Sequence, residues 1–197
     1  MPPSKPFAAL LAIAFALSAC SAAHTAVTSA TVDPVTGLAF NPADGSLLKT
    51  GAAGLFRLST SYSAWRAMTT PATSGLTGLA LNPDEPATVY VSGPGVGVLK
   101  STDTGQHWTD AGSGLPSPEI TALAMHSTRR ATLYAWVKDN GIYRTDDAGA
   151  HWNRMPDQGP PDTHVVRLVH STLPGSMNTG WLYAATPSGA YLSMDCF

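Results

Sequence analysis

The stretch "GVLKSTDTGQHW", Gly97 to Trp108, lines up without a gap on "GIYRTDDAGAHW", Gly141 to Trp152. The two copies agree on a hydroxyl residue, an Asp, a Gly and a His-Trp pair. These are Ser101, Asp103, Gly105, His107 and Trp108 against Thr145, Asp147, Gly149, His151 and Trp152. A weaker copy runs from Gly54 to Trp65, and a fourth opens at Gly189 as "GAYLSMDCF". The segments ahead of them repeat too. "VTGLAFNP", "LTGLALNP", "ITALAMHS" and the looser "VVRLVHS" start at Val35, Leu76, Ile120 and Val165, spaced 41, 44 and 45 residues apart. Self-similarity at such a period is the mark of a stacked array, in which a unit too small to bury its own apolar faces buries them on its neighbours.

Within each unit, short runs rich in Val, Leu, Ile, Tyr and Thr alternate with Gly, Pro and Asn-Pro punctuation, which reads as strands and turns. A third recurring run, "TVYVS", "TLYAW" and "WLYAA", carries Tyr90, Tyr134 and Tyr183. Composition agrees: only 12% of residues are charged, while Gly (18) and Pro (16) are plentiful, a mix suited to tight turns rather than long helices. Four antiparallel strands per repeat predict an all-β fold, a β-propeller or partial propeller of about four four-stranded blades. The repeats are 35–75, 76–119, 120–164 and 165–197, the last incomplete because Phe197 stands where Gly is expected. Three outcomes follow: Thr25 to Val32 folds back as the missing strand, two chains complete each other, or the chain is a truncated piece of a longer propeller.

The pattern Ser/Thr-x-Asp-x-Gly-x-x-Trp resembles the Asp-box, or bacterial neuraminidase repeat, of sialidase-like and other secreted propellers. Ser101, Asp103, Gly105 and Trp108 match it, as do Thr145, Asp147, Gly149 and Trp152. Strand alternation puts Ser101 and Asp103 on one side, so the carboxylate can accept from the hydroxyl and from turn amides. Gly105 supplies a positive φ, and Trp108 packs on the next sheet. The expected role is structural: a fastener repeated once per unit suits an array and not a single active site. His107, His151, His126 and His170 are expected as polar turn residues on separate blades, and no metal site or cofactor is expected.

The resemblance to sialidases implies a glycan-acting hydrolase as the alternative, and the residues lend it little. "LFRLS", Leu55 to Ser59, looks like the Phe-Arg-Ile-Pro motif with Ser59 in place of Pro, yet Arg57 aligns with Lys100 and Arg144 of ordinary repeats. The only glutamates are Glu85 and Glu119, and no pair of carboxylates with divided roles can be nominated. Xyloglucan-degrading propellers, sortilin-type receptors and photosystem assembly factors carry similar strands, and that broad group ranges from hydrolases to binding scaffolds.

The first residues are read apart from the fold. Lys5 provides a positive start, Phe7 to Ala19 an apolar run, and Leu17-Ser18-Ala19-Cys20 resembles the lipobox of bacterial lipoproteins. The resemblance implies a signal peptide over 1–19, lipidation of Cys20, and a linker over 20–34. Ser21, rather than Asp, after the cysteine favours the outer membrane. With Cys20 lipidated, Cys196 has no partner for a disulfide. The formal net charge of −2 and the lone basic pair Arg129-Arg130 argue against nucleic acid. The expected partners are the membrane, through the lipid, a protein or glycan ligand, and a second copy through open end blades. Arg129, Arg130, Trp136 and Trp181 are the candidate ligand contacts on loops. The chain therefore reads as an exported, lipid-anchored, non-catalytic scaffold.

Overall fold

A computed structural model of the chain describes residues 33–61, 63–72, 75–156, 159–172 and 180–193. These belong to one compact unit, Asp33–Phe197. The apolar run 7–19, the lipobox with Cys20, the segment 25–32, Cys196 and the terminal Phe197 lie outside the described residues.

Among the described residues every regular element is a β-strand, and the strands form four antiparallel sheets in sequence order. Blade 1 holds β1 (Gly37–Phe40), β2 (Leu47–Gly51), β3 (Gly54–Leu58) and β4 (Arg66–Met68). Blade 2 holds β5 (Gly78–Leu81), β6 (Val89–Gly93), β7 (Gly97–Ser101) and β8 (Thr109–Asp110). Blade 3 holds β9 (Ile120–Met125), β10 (Leu133–Val137), β11 (Gly141–Thr145) and β12 (Asn153–Arg154). Blade 4 shows three strands among the described residues, β13 (Arg167–Ser171), β14 (Trp181–Thr186) and β15 (Gly189–Ser193). The fold is thus an all-β propeller of four blades. Each third strand begins at a glycine in the left-handed region, Gly54, Gly97, Gly141 or Gly189, because the hairpin from the second strand needs a positive φ there.

The registers make the blades superimposable position by position. Leu38, Leu79, Leu123 and Leu168 occupy one place in the first strand, opposite Lys49, Val91, Ala135 and Ala184. Residues alternate between a face turned to the earlier blade and a face turned to the later one. Leu48 and Leu55 of blade 1 thereby meet Leu79, Val89 and Val91 of blade 2. Tyr90 and Val98 meet Leu123, Leu133 and Trp152 of blade 3. Tyr134 and Trp136 meet Leu168 and Leu182 of blade 4. Each fully buried Leu or Val contributes roughly 1.5–3 kcal/mol, so the three joints, rather than any single sheet, hold the fold.

A threonine latch recurs at the start of each first strand. The Oγ1 of Thr36 donates to the carbonyl of Leu76 at 2.5 Å, that of Thr77 to Ile120 at 2.9 Å, and that of Thr121 to Val165 at 2.7 Å. Each bond ties one blade to the next beside the central channel. The first strands β1, β5, β9 and β13 stand side by side and line that channel, an open hollow of about 740 Å³.

Candidate functional site

The two repeated acidic turns have nearly the same geometry. Ser101 Oγ donates to Asp103 Oδ1 at 2.8 Å and accepts the Gly105 amide at 2.8 Å. Asp103 Oδ1 also accepts the amides of Gln106 (2.9 Å) and His107 (2.8 Å), while Oδ2 meets His107 Nδ1 at 2.5 Å. In blade 3, Thr145 Oγ1 donates to Asp147 Oδ1 at 2.7 Å and accepts the Gly149 amide at 3.1 Å. Asp147 takes the His151 amide at 2.8 Å and His151 Nδ1 at 2.9 Å. These bonds favour the charged carboxylate and hold both groups well below the usual range. The His107 amide dominates for Asp103, and the Thr145 hydroxyl for Asp147.

Each turn hands its tryptophan back to the preceding blade. Trp108 Nε1 donates to the Thr69 carbonyl at 3.2 Å, and Trp152 Nε1 to the Ala111 carbonyl at 2.6 Å. The contact is reciprocated by Tyr90 of blade 2, whose hydroxyl donates at 3.1 Å to the Ala148 carbonyl inside the blade 3 turn. Burial, with the charge of Glu85 second, pushes the Tyr90 phenol up to about 12, so it stays a donor.

The turns also hold a feature that the glycine count does not reveal. Thr104 (φ 62°) and Ala148 (φ 59°) sit in the left-handed region beside Gly105 (86°) and Gly149 (90°). Each turn thus runs through two consecutive left-handed residues, and one of each pair carries a side chain that strains it.

Two histidines depart from expectation. His170 lies in β13 opposite Leu182, the register position of Met125 rather than of His126. Although they lie on separate blades, the His126 and His170 rings stack across the joint with centroids 3.8 Å apart. His126 Nδ1 accepts the amides of Thr128 (3.1 Å) and Arg129 (3.0 Å), and His170 Nδ1 accepts that of Ser127 at 3.0 Å. Both rings therefore act as turn caps at the joint between blades 3 and 4. Among the described residues, no three His, Cys, Asp or Glu side chains gather as a metal site.

The four side chains nominated as loop contacts separate. Only Arg129 lies exposed in a turn. Arg130 reaches back to Asp84 Oδ2 at 2.9 Å and bridges the turns of blades 2 and 3. Trp136 is buried in β10 with its indole N–H on the Thr163 carbonyl at 3.1 Å, and Trp181 opens β14. Arg57 pairs with Asp44 and donates to Ser46 Oγ at 3.2 Å, so its guanidinium serves its own blade.

The concave surfaces differ in chemistry. The channel is walled by Leu38, Phe40, Leu81, Met125 and Val169, and among the described residues Arg167 and His170 are its ionisable side chains. A second hollow, about 610 Å³, opens near the loops that precede the first strands and brings together Glu119, Lys138, Asp139 and His164. Asp139 is itself left-handed, with φ 59°.

Comparison with protein-family models and with curated proteins gives no match. Solved structures do match the fold. A GH74 enzyme from Niastella koreensis superimposes at a TM-score of 0.60 and 18% identity, over 83% of this chain and 28% of its own. A GH74 xyloglucanase from Xanthomonas campestris gives 0.54 and 15%, over 80% and 30%. A chain of the mitotic checkpoint complex gives 0.57 and 19%, over 79% and 47%. The chain thus spans less than half the length of each of these neighbours, and at such identities the likeness is one of fold, shared by glycoside hydrolases and by a member of a protein complex.

Proposed function

We propose that the chain is an exported, lipid-anchored propeller of the Asp-box kind that acts as a non-catalytic binding or assembly scaffold. One observation carries the reading: the repeated carboxylates of Asp103 and Asp147 are taken up by their own turns, while the described channel wall is lined mostly by apolar side chains, with Arg167 and His170 beside them. Glycoside hydrolysis needs two carboxylates facing one bond with divided roles, and no carboxylate is among the described residues that line the channel. The anchor rests on Leu17-Ser18-Ala19-Cys20, since stable membrane attachment needs about two acyl chains or equivalent signals.

Two measurements test the two halves. Cys20→Ser is expected to move the protein from the detergent phase to the aqueous phase and to abolish labelling by a fatty-acid precursor. Unchanged partitioning refutes the anchor. For the scaffold, the wild-type chain is expected to show no turnover of a fluorogenic sialoside or of xyloglucan oligosaccharides.

A second reading, a glycan-acting hydrolase working within a longer propeller, is favoured by the hollow that holds Glu119 and Asp139 and by the GH74 likeness. Turnover that disappears in both Glu119→Gln and Asp139→Asn would establish it and remove the scaffold reading.

A further inference from the structure

Three blade joints are packed shut, and the space between blades 1 and 4 stays open among the described residues. Leu79, Leu123 and Leu168 are buried against the blade before them, whereas Leu38 at the same place in blade 1 is 55% exposed. Phe40 of blade 1 is 59% exposed and Val169 of blade 4 is 49% exposed. All three side chains line the central hollow, so their exposed surface is gathered in one concave place rather than scattered over the molecule. At about 740 Å³ the hollow falls within the usual range of small-molecule sites, roughly 300–1,000 Å³.

A cation stands in this apolar place. Arg167 occupies the position that Gly37, Gly78 and Ala122 hold in the other first strands, and its guanidinium donates to the Thr36 carbonyl of blade 1. Arg57, Arg130 and Arg144 are each paired with a carboxylate, those of Asp44, Asp84 and Asp146 respectively. Arg167 has no such partner among the described residues, and the described lining of the hollow holds no carboxylate. A guanidinium offers five N–H donors in a planar fork, of which a single carbonyl uses only a part. His170 brings no second charge, because its Nδ1 accepts the Ser127 amide and so carries no proton.

We propose that the hollow between blades 1 and 4 binds the free anion of a medium-chain fatty acid, with its carboxylate on Arg167 and its alkyl chain along Leu38, Phe40 and Val169. The carboxylate matches the guanidinium fork in geometry and in charge, one negative group against one positive. A phosphate monoester carries about −1.5 to −2, and the surplus charge would lie against apolar walls at a cost. A sugar would leave hydroxyls facing the same walls unpaired. The length of the wall sets the length of the chain. Val169 stands two residues beyond Arg167, and Phe40 three beyond Gly37, the register counterpart of Arg167. The apolar wall therefore runs roughly 7–10 Å from the guanidinium, at about 3.3 Å per residue. This hollow is separate from the one that holds Glu119 and Asp139, so the site stands whether the chain is a scaffold or a hydrolase.

The test is photolabelling of the full chain with a diazirine-bearing decanoate, in phosphatidylcholine vesicles in place of detergent, with the labelled peptides located by mass spectrometry. Label is expected on the peptides of β1 and β13. Decanoate is expected to compete for it at least about tenfold better than decanol, the advantage of one charge-assisted hydrogen bond, and decyltrimethylammonium not to compete. Arg167→Gln is expected to erase the preference for decanoate over decanol, and Arg167→Lys to keep part of it. A merely structural role for Arg167 would weaken both competitors alike and leave their ratio unchanged. Val169→Asp sets a carboxylate into the wall and is expected to suppress labelling while Arg167 is intact. Circular dichroism checks that each variant keeps its strand signal. If neither Arg167 variant folds, the wild-type ratio and Val169→Asp decide. Label confined to other parts of the chain would overturn the inference, as would equal competition by decanol in wild type. So would a decanoate preference that survives in folded Arg167→Gln, or stronger competition by decyl phosphate than by decanoate.

Discussion

Trp152 of blade 3 donates its indole N–H to the carbonyl of Ala111, the residue just past the last strand of blade 2, at 2.6 Å. The ring is buried among Ala80, Val98, Leu133 and Tyr143, so the hydrogen bond and the packing act at one joint. Trp152→Ala is expected to destabilise the folded chain by about 3–5 kcal/mol through the cavity it leaves. Trp108 is only half-buried, with its N–H on Thr69 and Gly105, and Trp108→Ala is expected to cost clearly less. Denaturant unfolding of the two variants checks the order, and equal losses would contradict the placement of the rings.

Acid is expected to weaken the same turns. Asp103 and Asp147 are held below their ordinary range by the His107 amide and the Thr145 hydroxyl respectively. A depressed carboxylate contributes stability that is present above the unfolded-state value, about 4, and is lost as pH falls through the lower folded-state value. Asp162 behaves likewise, with the Ser188 hydroxyl and the His164 amide lowering it to about 2. Asp147 is exposed and Asp103 and Asp162 are half-buried, so water screens all three and the effect is graded rather than abrupt. Melting temperature is expected to fall between about pH 4 and pH 2, and Asp103→Asn together with Asp147→Asn to flatten that fall while lowering stability at neutral pH.

The left-handed residues give a prediction of the opposite sign. Ala148 at φ 59° carries a Cβ where glycine would be unstrained. Relief of roughly 1–2 kcal/mol of left-handed strain exceeds the roughly 0.5–1 kcal/mol of extra chain entropy that glycine loses on folding. Ala148→Gly is therefore expected to stabilise the chain by up to about 1 kcal/mol. The carbonyl that Tyr90 and Lys100 use remains in place. Thermal unfolding of the variant reads this directly, and a lowered melting temperature would contradict it.

The blade architecture is legible in the sequence because its determinants are local. Tight hairpins need glycine where the third strands begin, alternating apolar runs mark the strands, and the period of the repeat marks the stack. Ser101 and Asp103 fall on one side for the same local reason. What sequence spacing does not reveal arises between blades. Trp136 looks like a surface aromatic until β10 is placed in the middle of a sheet with blade 4 over it. His170 looks like a second His126, but its register puts it one position earlier, and only stacking of blade 4 on blade 3 brings the two rings together.

The threonine latches offer the most direct measure of how the joints share the load. Thr77 and Thr121 each donate a hydroxyl to a carbonyl of the next blade, and valine keeps the shape while removing the donor. Thr121→Val leaves the Val165 carbonyl without its hydroxyl donor, at an expected cost of about 1–3 kcal/mol. Thr77→Val is expected to cost a similar amount, since Ile120 is held in the same way. The two latches belong to different joints of one array, so the double variant tests whether the joints act independently. If neighbouring blades are coupled only through the blade they share, the losses add within about 0.5 kcal/mol. A much smaller combined loss would mean that opening one joint already releases the next, and amide exchange in β9, the strand between the two latches, would then rise as far in either single variant as in the double.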